Sequence, residues 1–388
     1  MNIFKKIIFL WKKPCVILVT GKGRSCAAEA IFQVLKSHFR VKKISNGVFP
    51  LVNDKDKILI FETDFDKSSK VSFVKNFKFL LKKSKLPILL VTHVGEIPAD
   101  KEFFAGEKKE TFLMRKMAEI LPVQGFLILN FDDETVREIK NETVTRSFTY
   151  GFQKGADFRA TDININLEGT NFKINYEGNI VPFWLRNLFG KEQIYSVLPA
   201  IAVGIVKDIN LVEIFQALKS YQSLPGKMRL IEGIKKSLIL DDSENATAFS
   251  MIEALEILRK IGEEARLRQG FGLRPTKLPS ADEVGGQGRK IAVLGDVLGV
   301  GKYTIEAHET IGEKVAKNGN LLFAVGSRAK FIAKGARSKG MKEENIFQFN
   351  TVNEAKLRLQ KEIKEGDIIL VDGSKEMKMG EVIEEIKK

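Results

Sequence analysis

Apolar and polar positions alternate along the first 130 residues in blocks that are strand-sized or helix-sized. Continuous apolar runs, which predict buried strands, occupy residues 15–20, 58–62, 88–92 and 125–130. Stretches with helical periodicity lie between them at 27–38 and 109–121. Strands that alternate with helices favour a mostly parallel sheet covered by helices.

The period changes in the following segment. Residues 159–185 alternate apolar and polar side chains with period two, and the letters NYEGN at 175–179 are typical of a hairpin turn. This pattern predicts a small antiparallel patch beside the main sheet. Residues 193–206 are rich in Ala, Val and Ile and predict a buried helix.

Pro and Gly interrupt the periodic pattern at 224–233, which predicts a domain boundary. A second alternation follows, with strands at 237–242, 290–296, 321–326 and 367–374 and helices at 250–261, 304–318, 329–338 and the C-terminal end. We therefore predict an α/β protein in which residues 1–224 form a central domain and residues 225–388 a doubly wound domain. Residues 262–289 are rich in Gly, Pro and charge without an apolar period, which predicts a flexible surface insertion.

Composition narrows the class of protein. The chain has 388 residues, 44% of them hydrophobic and 29% charged, which is ordinary for a globular protein of two or three domains. Its apolar runs are too short for a membrane span or a convincing signal peptide, so we predict a cytoplasmic protein. The two cysteines, Cys15 and Cys26, give no disulfide framework and no metal-ligand spacing, and we expect buried structural thiols.

The net charge of +14 is concentrated near the N-terminus. Residues 1–90 hold 19 Lys and Arg against 6 Asp and Glu, a difference of +13. A region of this charge attracts anions, and three interpretations are open: a solvated lysine-rich face, an anionic membrane or a nucleic acid. Nucleic acid is the least favoured partner, because the lysines follow no RNA-binding or helix-turn-helix pattern.

The segment from Val16 to Glu29, VILVTGKGRSCAAE, has the layout of a strand, a glycine turn and a helix start. This is the layout of a phosphate-binding loop, which ordinarily ends in Gly-Lys-Ser/Thr. Here it ends in Gly23-Arg24-Ser25, so a planar guanidinium replaces the compact ammonium. The loop either binds a nucleotide or is a glycine turn retained for packing.

Several segments together resemble the Mur ligase family, in the same order along nearly the whole chain. Within that family they are most similar to the branch that adds D-alanyl-D-alanine to a muramoyl tripeptide. The matching segments are ILNFDD at 128–133, YGFQKGADFRATDI at 150–163, LPGKMRLIEG at 224–233, LILDDSENATAFSMIEALEIL at 238–258, VLGDVLGVGKYTIEAHETIG at 293–312 and DIILVDGSKEMKMGEVIEEI at 367–386.

The resemblance implies a P-loop-type central domain, a Rossmann-like C-terminal domain and a defined chemistry. Such ligases use ATP and Mg²⁺ to convert a carboxylate into an acyl phosphate, which an amine then attacks in peptidoglycan precursor synthesis. The implied catalytic residues are Arg24, Glu62 and His308, and the implied metal ligands are Ser25 and Glu62. The implied nucleotide-binding or substrate-binding residues are Thr20, Gly21, Gly23, Arg24, Ser25, Asn130, Lys227, Asp242, Asn245 and Ser374.

The sequence also departs from the family pattern. The loop is one residue shorter than the family's Thr-Gly-x-x-Gly-Lys-Thr, Pro98 aligns with a metal-binding His, and Met117 aligns with a carbamylated Lys. Lys116, beside it, would point about 100° away on a helix. Glu192 lies where the family has residues near the adenine.

Two functions are therefore carried forward. The first is an ATP-dependent amide-forming ligase acting on a muramoyl-peptide precursor and a D-alanyl-D-alanine-like amine. The second is a catalytically inactive Mur-ligase-like binding or scaffold protein that contacts cell-wall synthesis proteins or an anionic precursor. Because the loop strand begins about fifteen residues into the chain, we also expect the family's N-terminal uridine-binding domain to be absent. Either another chain supplies it, or the substrate is held differently, or the substrate is not handled at all.

Overall fold

The computed structural model describes residues 3–44, 57–64, 71–93, 108–244, 246–271 and 288–388. Its helices are α1 (Ile3–Lys12), α2 (Arg24–Leu35), α3 (Val71–Lys83), α4 (Lys108–Glu119), α5 (Glu134–Glu138), α6 (Lys191–Val206), α7 (Leu211–Leu218), α8 (Ala248–Phe271), α9 (Thr304–Asn318), α10 (Ala329–Ser338), α11 (Val352–Glu362) and α12 (Gly380–Ile386).

The strands fall into two groups along the chain. The first group is β1 (Cys15–Thr20), β2 (Val41–Ile44), β3 (Ile58–Thr63), β4 (Pro87–Val91), β5 (Phe126–Asn130), β6 (Arg146–Gly151), β7 (Phe158–Asn166), β8 (Gly169–Tyr176) and β9 (Asn179–Arg186). The second group is β10 (Arg229–Glu232), β11 (Leu238–Asp242), β12 (Lys290–Gly295), β13 (Leu321–Val325), β14 (Ile346–Phe349) and β15 (Ile368–Asp372).

The first group forms one sheet in the order β2-β3-β1-β4-β5-β6-β7-β8-β9. Pairing is parallel as far as β7 and antiparallel between β7, β8 and β9, so the predicted mostly parallel sheet with an antiparallel patch is confirmed. Alternate residues of β1 face opposite sides. Ile17 and Val19 pack with α2 and α6, whereas Val16 and Leu18 pack with Phe9 of α1 and Phe77 of α3.

The second group forms a sheet in the order β10-β11-β15-β12-β13-β14, in which only the β10–β11 pairing is antiparallel. Helices α8, α9 and α10 cover one face, and α11 and α12 cover the other. The prediction of a second doubly wound α/β unit is therefore confirmed. The predicted division after residue 224 lies between α7 and β10.

Helix α8 differs from its prediction at the C-terminal end. It continues to Phe271, so residues 262–271 are helical and the predicted loop does not begin at 262. The continuation has a packing reason, because Ala265 contacts the core of the second sheet and the Glu264 carboxylate accepts the Leu167 N–H at 2.7 Å. The rest of the predicted insertion at 272–287 lies outside the described residues.

Both cysteines are buried, as predicted, and neither forms a disulfide. Burial raises the pKa of Cys15 to about 12 and the pKa of Cys26 to about 11. Thiols with such pKa values are protonated and inert at neutral pH. Among the helices of the described residues, none is long and apolar enough to cross a membrane.

Candidate functional site

The loop between β1 and α2 depends on two glycines with positive φ. Gly21 has φ +99° and Gly23, the N-cap of α2, has φ +79°. A Cβ at position 21 would lie 2.5 Å from the His93 carbonyl oxygen, whereas a Cβ at position 23 would meet no atom of the described residues within 4 Å. Gly21 is therefore required for close packing, and Gly23 leaves open space in front of the α2 N-terminus. A helix N-terminus with open space in front of it is suited to an anion.

Residues that follow β4 hold this loop in place. The Lys22 backbone N–H donates to the His93 carbonyl oxygen at 2.9 Å. The Thr92 hydroxyl lies 2.5 Å from the Lys22 carbonyl oxygen and 3.0 Å from that of Thr20. One backbone amide that a phosphate-binding loop would direct at its ligand is thus used within the protein.

Arg24, the first residue of α2, folds back over the loop. Its Nη1 donates to the Gly21 carbonyl oxygen at 3.1 Å and its Nη2 to Asp64 Oδ2 at 2.9 Å. Both side chains are about one-quarter exposed, at 27% for Arg24 and 20% for Asp64. Because a guanidinium has five N–H donors, these two bonds leave donors that an anion could use.

Two buried threonine hydroxyls lie without a hydrogen-bond partner next to the loop. Thr20 and Thr63 end the neighbouring strands β1 and β3 as register partners, and both side chains are buried. Neither hydroxyl oxygen has a hydrogen-bond partner among the residues that the structure describes. A buried polar atom without a partner is uncommon in proteins, which points to a polar group that binds at this edge of the sheet.

The predicted metal ligands lie at the same edge. Glu62 precedes Thr63 in β3, and Ser25 is the second residue of α2. Within the described part of the chain, no group of three or more His, Cys, Asp or Glu residues could hold a metal ion by itself. One carboxylate and one hydroxyl fit Mg²⁺ nonetheless, because Mg²⁺ commonly takes one or two carboxylates and completes its shell with phosphates and water.

Asn130 ends β5 beside the loop and is fully buried. Its amide nitrogen lies 2.9 Å from His93 Nδ1, and its Oδ1 accepts the Asp132 N–H at 3.0 Å. The Tyr195 hydroxyl donates to Asp132 at 2.8 Å, and the Tyr195 ring packs edge-on against the His93 ring at 5.1 Å. This network fixes His93, whose carbonyl oxygen holds the loop.

The second domain contributes two adjacent aspartates from the end of β11. Asp241 accepts the Gly226 N–H at 2.9 Å, and Asp242 accepts the Met228 N–H at 3.0 Å. The two carboxylates therefore fix the segment that enters the second domain. Lys227 lies between Gly226 and Met228 in that segment, and its Nζ donates to the Glu244 carbonyl oxygen at 2.6 Å.

Asp242 faces a second buried carboxylate. Asp242 and Asp372 are register partners at the ends of the parallel strands β11 and β15, with exposures of 1% and 0%. Burial raises the pKa of both groups well above the usual range. The negative charge of Glu192 raises both pKa values further, and the charge of Asp372 also raises that of Asp242. The positive charge of Lys227 lowers both pKa values, and the Gly373 N–H lowers that of Asp372, although neither Asp372 oxygen has a hydrogen bond of good geometry among the described residues.

Charged groups of α6 and of the second sheet lie near α2. Burial is the main cause of the raised pKa of the Cys26 thiol in α2. The charge of Lys227 lowers that pKa, and the charges of Glu192 and Asp242 raise it. On the same junction, Lys191 Nζ lies 4.0 Å from Glu253 of α8, and burial raises the pKa of Glu253 to about 7. We take the glycine loop after β1 and the carboxyl groups that end β11 and β15 together as the candidate site, and we call the region between them the cleft.

His308 lies in α9 and uses both ring nitrogens on backbone groups. Nε2 accepts the Val297 N–H at 3.1 Å, so the proton is on Nδ1, which donates to the Thr304 carbonyl oxygen at 2.6 Å. Burial lowers its pKa. In this arrangement His308 positions the loop after β12 and has no ring nitrogen available for proton transfer.

Ser374, another predicted residue, supports the same loop. Its Oγ accepts the Leu298 N–H at 2.9 Å, and its own N–H donates to the Asp296 carbonyl oxygen at 3.2 Å. Asp296 Oδ1 in turn accepts the N–H groups of Arg328 and Ala329 at the start of α10. The loops at the carboxyl ends of β12, β13 and β15 are thereby tied together.

Some predicted positions lie away from this cleft or outside the described residues. Asn245 and Pro98 are outside them. Met117 is buried in the core of the first sheet, and Lys116 is on the surface, where it pairs with Glu119 at 2.7 Å. The expected divergence of positions 116 and 117 on the helix agrees with this placement.

Sequence reasoning missed the residues that neutralise or position the predicted ones. Asp64 follows Glu62 by two positions, and an acid so close to a strand end was a usable signal. Nothing local in the sequence indicates that the carbonyl oxygen of His93 holds the loop. Asp372 ends a predicted strand, but its pairing with Asp242 depends on a strand order that the sequence does not display.

The fold is that of an α/β protein with two sheets, in which a glycine loop of nucleotide-binding layout follows β1 and a second, doubly wound unit contains β10 to β15. Two family descriptions match this chain: "Mur ligase middle domain" over residues 102–204 and "Mur ligase, glutamate ligase domain" over residues 276–375. The chain belongs to the Mur ligase family.

Curated relatives match it to different extents. A UDP-N-acetylmuramoyl-tripeptide–D-alanyl-D-alanine ligase from Bacillus subtilis is 22% identical over 96% of this chain and 75% of its own length. A UDP-N-acetylmuramate–L-alanine ligase from Alkaliphilus metalliredigens is 30% identical, but over only 33% of this chain. That match spans 28% of the relative's length, so it concerns one part of that enzyme.

Solved structures agree on the fold. A MurF from Acinetobacter baumannii superposes with a TM-score of 0.75 at 17% identity and covers 98% of this chain and 78% of its own. A MurF ligase from Thermotoga maritima in complex with ADP gives a TM-score of 0.71 at 18% identity, over 98% of this chain and 81% of its own. The predicted resemblance to the Mur ligase family is confirmed.

Proposed function

We propose that this protein is an ATP-dependent ligase that forms an amide bond on a muramoyl-peptide precursor of peptidoglycan, with D-alanyl-D-alanine or a similar amine as second substrate. The observation that carries the proposal is the loop edge of the cleft. Open space at Gly23, the N-terminus of α2, the Arg24 guanidinium and the two partnerless hydroxyls of Thr20 and Thr63 offer donors to one anionic ligand. The relatives, named for ligases of this kind, support the choice of chemistry.

ATP and Mg²⁺ fit the residues on the first wall of the cleft. Thr20, Gly21, Gly23, Arg24 and Ser25 would hold phosphates, and Ser25 and Glu62 would hold Mg²⁺. ATP and Mg²⁺, when bound, would allow a substrate carboxylate to be activated as an acyl phosphate. The role of this chain is electrostatic, because phosphoryl transfer depends chiefly on positioning and on neutralising developing charge.

Arg24 would serve in place of the family's lysine. Its hydrogen bond to Asp64 fixes the plane of the guanidinium over the loop, and the Asp64 carboxylate partly neutralises the positive charge of the guanidinium. Asn130 would support the nucleotide side of the cleft through His93, which holds the loop. His308 would act as a positioning residue.

The second wall suits an amino substrate. Asp242 and Asp372 are carboxyl groups held close together, and an ammonium group nearby would favour their ionised forms. Lys227 and Ser374 would order the segments around them, and Asn245 is proposed for the same wall on the family resemblance alone. We assign the reaction to the cytoplasm, where ATP is available, and propose a separate uridine-binding domain or another cell-wall synthesis protein as partner.

Calorimetric titration with ATP and Mg²⁺ tests the proposal. We expect micromolar binding that Arg24→Ala abolishes and that Arg115→Ala, whose guanidinium pairs with Glu138 on the surface, leaves unchanged. Phosphate release should then require both a muramoyl peptide and a dipeptide. Absence of binding up to millimolar ATP would contradict the proposal and favour the inactive binding protein.

A further inference from the structure

Helix α1 presents its apolar side to solvent. Five large apolar side chains of this ten-residue helix are exposed, namely Ile3 at 78%, Phe4 at 63%, Ile7 at 59%, Leu10 at 38% and Trp11 at 81%. At 100° per residue they occupy one continuous arc of about 120°. Isolated exposed apolar residues are common, but a contiguous patch of this kind marks an interaction surface.

The opposite side of α1 attaches the helix to the protein. Phe9 is 1% exposed and packs against Phe79 of α3, with ring centroids 5.9 Å apart. Lys6 Nζ lies 5.3 Å from the centre of the Phe79 ring. The helix is therefore held by Phe9 and its lysines flank the attachment, so the exposed arc does not result from a detached segment.

The segments that contain α1 and its packing partner α3 are strongly cationic. Residues 3–14 and 71–87, which contain α1 and α3, hold nine lysines and no acidic residue. The lysines classed as exposed are Lys13, Lys75, Lys82, Lys83 and Lys85. A solvated lysine-rich face would explain these charges but would not explain the exposed Ile, Phe and Trp side chains beside them.

We propose that α1 docks the protein on the surface of an anionic phospholipid bilayer, with the exposed arc inserted at the headgroup boundary and the lysines of α1 and α3 paired with lipid phosphates. An amphipathic helix with Trp, Phe and Ile on one side and lysines at the flanks is the element that lies in a membrane interface. Charge complementarity selects the anionic bilayer among possible occupants, since an uncharged protein groove would not call for nine lysines. The helix is too short to span a membrane, so the association is peripheral.

Vesicle sedimentation with the full chain tests this docking. We expect binding to vesicles of phosphatidylcholine with 30% phosphatidylglycerol to exceed binding to pure phosphatidylcholine by about tenfold or more, and to weaken as salt rises. Ile7→Glu should reduce binding by about tenfold. Leu357→Glu, a change at a 53% exposed residue of α11 in the second domain, should leave it unchanged.

Tryptophan fluorescence gives a second readout that does not depend on folding of a charged variant. The chain has two tryptophans, and Trp184→Phe leaves Trp11 as the only reporter. Trp11 emission should shift to the blue with anionic vesicles and be quenched by lipids brominated near the headgroup. Equal binding to neutral and anionic vesicles, or an unshifted Trp11, would overturn the proposal. Self-association that Ile7→Glu abolishes, without vesicle binding, would also overturn it and assign the arc to a second copy of the chain.

Discussion

Arg24 Nη2 donates to Asp64 Oδ2 at 2.9 Å, which ties the first residue of α2 to the residue that follows β3. The cation that replaces the usual loop lysine thus has a carboxylate partner within the protein. Any anion that binds at Gly23 must share the guanidinium with Asp64. We therefore expect the anion affinity of the loop to depend on Asp64, which lies outside the loop motif.

Neutralising Asp64 should strengthen anion binding. Asp64→Asn retains the size of the side chain and removes the negative charge, so we expect ATP and inorganic pyrophosphate to bind about three to ten times more tightly, a gain of roughly one charge interaction near a protein surface. Calorimetry at low ionic strength measures the change. Glu138→Gln, which removes the partner of a surface arginine, serves as the control. Unchanged or weaker binding in Asp64→Asn would show that Asp64 orients Arg24 more than it competes with the ligand.

The two loop glycines should respond differently to alanine. Gly21→Ala combines φ +99° with a Cβ 2.5 Å from the His93 carbonyl oxygen, and we expect a loss of about 2–4 kcal/mol of unfolding free energy. Gly23→Ala meets open space and should cost only the left-handed strain of about 1–2 kcal/mol. Urea denaturation of the two variants measures the difference. Equal losses would contradict the packing role assigned to Gly21.

The Asp242–Asp372 pair should make stability fall as pH rises. Because the pKa of each folded-state carboxyl is raised, the folded protein holds protons that the unfolded chain releases above its usual aspartate pKa. Its stability is therefore greatest at pH values below the unfolded pKa and declines as the pH rises from there through the raised folded pKa. Asp372→Asn removes the part of this dependence that Asp372 contributes and should raise the melting temperature by about 2–5 °C at pH 8, with a smaller gain at pH 5.

The control for Asp372→Asn is the same substitution at a buried aspartate that has a cationic partner. Asp367 is buried but pairs with Arg289 at 2.7 Å, so Asp367→Asn should destabilise the protein at both pH values. A melting temperature that falls in Asp372→Asn at pH 8 would mean that the ionised carboxylate is favourable where it lies. Differential scanning calorimetry at the two pH values distinguishes these results.

His308 should influence stability with the opposite sign. Burial lowers its pKa, so its contribution is present above the unfolded value of 6.5 and is lost as the pH falls through the lowered folded pKa. His308→Ala breaks bonds to Val297 and Thr304 and should cost about 1–3 kcal/mol at pH 8. The pH profile of phosphate release should be the same in His308→Gln as in the unchanged protein, because neither ring nitrogen of His308 is available for proton transfer. A step in that profile that disappears in His308→Gln would show that His308 transfers a proton.

Regular elements were predictable because their signals are local. The bounds of α9 and α10 match the predicted 304–318 and 329–338, and the apolar run at 15–20 forms β1. The short apolar run at 7–11 forms part of α1, although a run of that length is equally consistent with a strand. Periodicity also did not indicate that the apolar arc of α1 would face solvent, since only the packing of Phe9 decides which side is buried.

The sequence by itself determined the two α/β units, the glycine loop with its Arg24 substitution, the buried cysteines and the family resemblance, because each depends on short-range pattern or on residue order. The tertiary structure decided how charges meet. Asp64 reaches Arg24 from 40 positions away, and β15 is placed between β11 and β12, so that Asp372 lies beside Asp242. Strand order follows from how helices cover both faces of a sheet, and that packing energy is not written in any local segment. The electrostatics of the cleft are for this reason a property of the fold.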